Sequence, residues 1–283
     1  MKRLRVMTHL PCLLLALAMA GCAAHQPLGA MMSPADVPAT LRNLAPARLL
    51  LLGEQHDADA HQALERATVA HLAHSGRLTA LVLEMAARGT HTRGLATDAT
   101  EADVRSRLAW DDAGWPWTRY GPVVMTAVRA GVPVLGGNLP RNEMRAAMAD
   151  ASLDARLTPQ ALARQRDNIR DGHCGLLPAS QLTPMARIQI ARDLSMAQTM
   201  AQAASASGVV VLVAGTEHVR RSVGVPAHWS ARDHADSWVV VMHSGPPDAN
   251  ARLGVDRLWI TPATAPQDHC AELRRRWGKP PAP

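Results

Sequence analysis

Short aliphatic runs recur along the chain, separated by stretches whose apolar positions fall at helical spacing. The runs cover residues 47–54, 79–85, 133–138, 209–215, 237–243 and 257–260. Strands buried on both faces of a parallel sheet read as such near-continuous runs, bounded by turn residues. Between the first two runs, residues 59–74 place Leu64, Val69 and Leu72 on one face and stop at Ser75-Gly76, which predicts a helix and completes a βαβ unit. Residues 141–207 hold no strand-like run and predict several helices, the last over 183–204, forming a helical cap inserted before the fourth strand. The whole pattern predicts an α/β fold, with a mostly parallel central sheet flanked by helices in one domain over 38–283.

The first residues break from this pattern. Lys2, Arg3 and Arg5 precede an apolar stretch at 10–19, and the small residues Ala20 and Gly21 stand immediately before Cys22. That stretch is far shorter than the roughly 20 residues a membrane-spanning helix needs. Residues 1–21 therefore read as a cleaved signal peptide with a lipobox-like end, and Cys22 as the lipidated first residue of the mature chain, although Met19 stands where lipoboxes usually have Leu. Residues 22–37, rich in Ala, Pro and Met, follow as a tether. Ala23 in place of Asp fits a lipoprotein passed on to a bacterial outer membrane, so the expected location is the cell envelope.

That location changes how the other cysteines are read. Cys12 leaves with the leader, so Cys174 and Cys270 remain, in an oxidising compartment, either as a disulfide or as two separate buried thiols. No cysteine spacing suits zinc. The formal net charge of +6 falls to +3 without Lys2, Arg3 and Arg5, and no long basic run remains, which argues against a nucleic-acid partner. Phe is absent and Tyr120 is the only tyrosine, so the core must rest on Leu, Val, Ala, Met and a few Trp.

Four of the predicted strands end in polar groups that packing does not require. Glu54, Gln55, His56 and Asp57 end the first; Glu84 ends the second, Asn138 the third, and Thr216, Glu217 and His218 follow the fourth. Ligands of open α/β sheets bind beyond the carboxyl ends of the strands. Parallel strands would bring Glu54, His56, Glu84, Asn138 and His218 to one edge. Gly53 and Gly215 each stand three residues before a histidine, and a glycine at a strand exit permits the close turn that folds an imidazole back over the sheet. Two imidazoles and two carboxylates in one place suit a divalent metal, or acid–base work on a bound substrate. Taken singly, either histidine is as well explained by capping a helix. His61 is divided between the site and a solvated helix position. His71, His74, His91, His228, His234 and His269 read as surface residues, and His173 as part of a structured loop.

Residues 53–57, His61, Glu84-Met85, 117–122, 137–141 and 215–218, with His173-Cys174-Gly175 and the 189–197 stretch, resemble the ChaN-like haem-binding lipoproteins. Their superfamily also contains the Tiki and TraB proteins, and the likeness runs from about residue 47 to 229. The resemblance implies a haem-binding envelope lipoprotein serving iron acquisition, with an outer-membrane haem receptor as partner. It also implies iron held by a tyrosine and haem enclosed between the two subunits of a homodimer. Only Tyr120 can be that tyrosine; Trp117 beside it can stack on a porphyrin, Arg119 and Arg141 can pair with propionates, and Asn138 is a further polar contact, while the bland alternative is that Trp117 and Tyr120 pack a helix, which would leave His56, His218 or a methionine to hold the iron. The Tiki branch implies a different activity, a metal-dependent hydrolase or protease with His56 and His218 on the metal and Glu54 or Glu84 as ligand or general base. The lipobox and the His-Cys-Gly segment favour binding over hydrolysis. An envelope lipoprotein with a vestigial site is the third reading.

Overall fold

The computed structural model describes residues 29–42 and 47–277, so the expected leader and Cys22 lie outside the described residues. Its strands are β1 (Gly29–Met31), β2 (Leu49–Glu54), β3 (Leu78–Ala87), β4 (Val134–Asn138), β5 (Val209–Gly215), β6 (Ser237–Ser244) and β7 (Arg257–Thr261). They form one sheet in the order β1-β7-β6-β2-β5-β3-β4, with every neighbouring pair parallel. The helices are α1 (Val37–Arg42), α2 (Asp59–His74), α3 (Glu101–Arg107), α4 (Trp117–Arg129), α5 (Met144–Ala149), α6 (Pro159–Gly172), α7 (Ala179–Ala203), α8 (Thr216–Val219), α9 (Ala231–Ala235) and α10 (His269–Trp277).

The α/β class is the one the run pattern predicts, and β2 shows why. Leu49 and Leu51 belong to one apolar cluster, Leu50 and Leu52 to the other, and all four are buried. With helices on both faces, no position along the strand is left for a polar side chain until the exit. Each buried leucine contributes roughly 1.5–3 kcal/mol. One face packs on Leu64, Val69 and Leu72 of α2 and Val123, Val124 and Val128 of α4; the other packs on Met196, Ala197 and Met200 of α7.

Two expectations are corrected. The tether expected as far as residue 37 is shorter, because Gly29–Met31 pair with β7 and Val37 already opens α1. A three-residue strand is too brief to show a period in the sequence. The expected cap over 141–207 divides in two. Its shorter helices gather around Leu153, Leu157 and Ile190, whereas α7, starting at Ala179, lies against β3, β4 and β5 as a layer of the main domain.

Candidate ligand site at the carboxyl edge of the sheet

The register sets Glu54 opposite Gly215 and Leu83 opposite Val213, so the exits of β2, β3 and β5 lie side by side. Glu54, His56, Glu84 and His218 are thereby one cluster. Both glycines of the repeated Gly-x-x-His spacing serve close approach. A Cβ on Gly53 would collide with the Val219 side chain, and one on Gly215 would stand 2.9 Å from His56 Nε2. Helix α8 begins directly after β5, so His218 leans back over the edge, and Thr216 Oγ1 donates to the Glu54 carbonyl at 3.1 Å.

Glu54 is the buried hub. It accepts from His56 Nδ1 and from the Tyr120 hydroxyl, each at 2.7 Å, and from Gln62 Nε2. Burial alone would raise its pKa, but the His56 hydrogen bond and charge, then Tyr120, hold it below the ordinary carboxylate value. Glu65 is fully buried; burial first, and the Glu54 charge second, push its carboxyl pKa well up. Glu84 accepts from the Gly215 amide at 2.8 Å and lies 3.4 Å from His218 Nε2. Against its burial, His218 and then His56 hold it far below the usual range.

The two histidines are not equivalent. His218 donates from Nδ1 to Asp193 of α7 at 2.6 Å and faces Glu84 with Nε2. Burial opposes its charge, yet Glu84 and Asp193 raise its pKa to about 10, so it is an imidazolium at neutral pH. Asp193 is itself lifted to about 6, chiefly by burial. The His56 side chain is 41 % exposed. Its Nδ1 is committed to Glu54, while Nε2 is 4.0 Å from Glu84, outside hydrogen-bond reach. Burial lowers its pKa, but the Glu54 hydrogen bond and the Glu84 charge leave it raised overall. Trp115 meets the ring edge-on, 4.8 Å between centroids.

A cavity of about 910 Å³ opens in front of His56. Its inner wall is Glu54, His56, Arg119, Gly215 and His218; its outer wall is the end of α6 with Asp171 and Cys174, and α10 with His269, Cys270, Leu273 and Arg276. Cys174 and Cys270 are joined by a disulfide, their Cα atoms 5.7 Å apart. His173 stacks on Trp277 beside that bond.

Several expected roles change. Tyr120 is 0 % exposed, and its hydroxyl is spent on Glu54. Burial, then the Glu54 charge, raises its pKa, the opposite of what a phenolate ligand needs. Trp117 is buried and donates to Glu101 at 2.7 Å, away from the cavity. Arg119 does line it, donating to the His56 carbonyl at 2.9 Å. Asn138 donates to the Glu84 carbonyl at 2.7 Å. Arg141, 84 % exposed, pairs with Asp111 on the rim of a different hollow. The expected metal set of Glu54, His56, Glu84 and His218 is assembled, but as acid–imidazole pairs. Among the described residues no group of three or more His, Cys, Asp or Glu is arranged to hold a metal ion.

Outside that set, His61 is buried, accepting from the Gln55 amide and contacting Thr261, with its pKa lowered to about 4 chiefly by burial. His228 is half-buried with its pKa lowered the same way, so it is not the plain surface residue expected, whereas His269 is exposed as expected and stands on the outer side of the cavity. Asp193 was not singled out as a site residue; its signal was a lone acid among the apolar positions of α7.

An open parallel sheet with polar groups converging at its carboxyl edge, before a cavity, defines a ligand-binding α/β protein. Residues 40–229 match the family described as haem-binding uptake, Tiki superfamily, ChaN, and the chain belongs to that family. It is similar in structure to ChaN of Campylobacter jejuni, described with cofacial haem, at 24 % identity and a TM-score of 0.59, over 74 % of this chain and 87 % of that one. It is more distantly similar to the type III effector HopBA1, at 12 % identity and a TM-score of 0.45, over 82 % and 94 %. No curated protein matches the sequence.

Proposed function

We propose that the protein binds haem in the cavity in front of His56. The observation that carries this reading is an imidazole in the cavity wall whose Nδ1 is anchored on a buried carboxylate and whose Nε2 is not hydrogen-bonded. That is how proteins fix the tautomer and orientation of a histidine ligand. The cavity fits the group in size, since cofactor sites run to roughly 300–1,000 Å³. Arg119 and Arg276 in its walls suit propionates, and Leu273 offers apolar contact. When bound, haem would supply ferric iron as the acceptor for a nitrogen or oxygen ligand. His56 is the residue placed to hold it. His218 is unsuited, both its nitrogens facing carboxylates. Family membership supports the same ligand, and departs from it only in the tyrosine ligation the resemblance implies, which Tyr120 is not placed to make.

The broader setting follows as part of the proposal. Export, a lipid on Cys22, a place in the outer membrane, a homodimer around the haem and delivery to or from an outer-membrane receptor would make this a module for iron acquisition. Among the described residues no helix is long and apolar enough to cross a membrane. The metal-dependent hydrolase of the Tiki branch has no observation in its favour beyond the shared spacing. Titrating the mature protein with hemin should give a saturable Soret change with an end point at whole-number stoichiometry. A response linear in hemin would remove the proposal.

A further inference from the structure

Three buried groups, Asp193, His218 and Glu84, take no part in holding haem, yet they form a chain that ends beside His56. Asp193 accepts from His218 Nδ1 at 2.6 Å, and His218 Nε2 stands 3.4 Å from Glu84 Oε1. Glu84 Oε2 accepts from the Gly215 amide at 2.8 Å. The three side chains are 1 %, 13 % and 4 % exposed. They come from α7, α8 and β3, so the fold gathers them from distant parts of the sequence. Ionisable groups taken this far out of water are costly unless each stabilises the next.

Glu84 Oε2 lies 4.0 Å from His56 Nε2, the atom free to take a ligand, and is too far to hydrogen-bond it. It acts there through its charge. Glycine at 215 permits the approach, since a Cβ would stand 2.9 Å from His56 Nε2 and 3.6 Å from Glu84 Oε2. Two carboxylates thus face the ring, Glu54 at Nδ1 and Glu84 at Nε2. Burial lowers the His56 pKa, but the Glu54 hydrogen bond and the charges of Glu84 and Glu54 outweigh both burial and the His218 charge. Of the nearby arginines, Arg119 is engaged by the His56 carbonyl and by Asp59 at 3.7 Å, and Arg192 lines the separate hollow behind Glu84. The field at the ring is that of an anionic site.

An anionic group beside a metal ligand favours the metal of higher charge, because each added unit of central charge gains further attraction. We infer that Glu84, gripped between His218 and the Gly215 amide, is a specificity-determining residue that makes the cavity select a porphyrin carrying a trivalent metal over one carrying a divalent metal. This rests on the haem-binding reading and adds to it a preference for ferric over ferrous haem.

The test uses the mature protein and three fluorescent probes of one shape: gallium(III), zinc(II) and metal-free protoporphyrin. In Glu84→Gln, which keeps an acceptor for the Gly215 amide, the ratio of gallium to zinc affinity should fall at least about tenfold. The losses should follow central charge, largest for gallium and smallest for the metal-free ring. Redox titration of the haem complex should show a midpoint raised by at least about 59 mV, the one-electron equivalent of tenfold. Glu84→Gln combined with His218→Gln strands no imidazolium and should lose the same preference, which keeps the test decisive if the single variant folds poorly. An unchanged gallium-to-zinc ratio, equal losses for all three rings, or an unmoved midpoint would each overturn the inference. Saturable hemin binding with an unchanged ratio would remove this inference alone, whereas no saturable binding of any porphyrin by the parent would remove the haem reading with it.

Discussion

The inner and outer walls of the large cavity are built by opposite means. The inner wall comes from exits of interior strands, and its buried acids and His218 are each fixed more than once: Glu54 by His56, Tyr120 and Gln62, His218 by Asp193 and Glu84, and Glu84 behind it by the Gly215 amide and His218. The outer wall comes from α10, a helix with no buried residue and three arginines in its last turn, stapled to the end of α6 by Cys174–Cys270 and the His173–Trp277 stack. A wall with redundant hydrogen bonds keeps its geometry whether or not a ligand is present, whereas one held by a single covalent link can move as a unit. The chemistry is thus preorganised on the sheet, and access is set by the staple.

The largest effect should come from Glu54→Ala. It strands the His56 and Gln62 donors and a fully buried Tyr120 hydroxyl, so urea denaturation should show a loss of roughly 3–5 kcal/mol. Glu272→Ala on the outer wall should change stability by under about 0.5 kcal/mol. Equal losses would erase the distinction between the walls.

A pH effect follows. The folded pKa of His218 is raised to about 10, so its stabilisation is fully present below its unfolded value near 6.5 and is lost as pH climbs from there through 10. The unfolding free energy should fall over pH 7–10 by an amount on the order of 3 kcal/mol, read as a falling urea midpoint, and His218→Gln should flatten that slope. At the acid end His61, lowered to about 4, works in the other direction: the cost of protonating it appears as pH falls from about 6.5 toward 4.

A smaller effect belongs to the staple. Reducing the disulfide, or Cys270→Ser, should raise amide exchange throughout α10 and speed haem release about tenfold, a change of roughly 1.4 kcal/mol, while β2 and β5 keep their protection. Exchange rising equally in β2 would contradict a locally hinged wall.

How much of this was legible in the sequence follows the same division. The inner wall was, because a strand buried on both faces has no reason to end in Glu54-Gln55-His56, and the Gly-x-x-His spacing recurs at 215–218. What escaped were partners supplied by helices. A tyrosine in an amphipathic helix reads alike whether its hydroxyl reaches a ligand or a buried acid, so the sequence leaves Tyr120 open between iron ligand and helix packing, and only the fold shows it pointing at Glu54. Asp193 and Arg192 are adjacent in α7 yet serve different cavities, which only the packing of α7 on the sheet decides. The outer wall was visible only as the Cys174, Cys270 alternative, since nothing local in residues 269–277 says what that helix covers.

The site is organised around His56 backed by Glu54, with Tyr120 as a buried donor behind them. The ferric haem complex examined by electron paramagnetic resonance and magnetic circular dichroism decides it most directly, with His56→Ala and Tyr120→Phe beside the parent. A histidine-ligated signature is expected, one that His56→Ala abolishes and Tyr120→Phe retains. A phenolate charge-transfer band that disappears in Tyr120→Phe and survives in His56→Ala would contradict it.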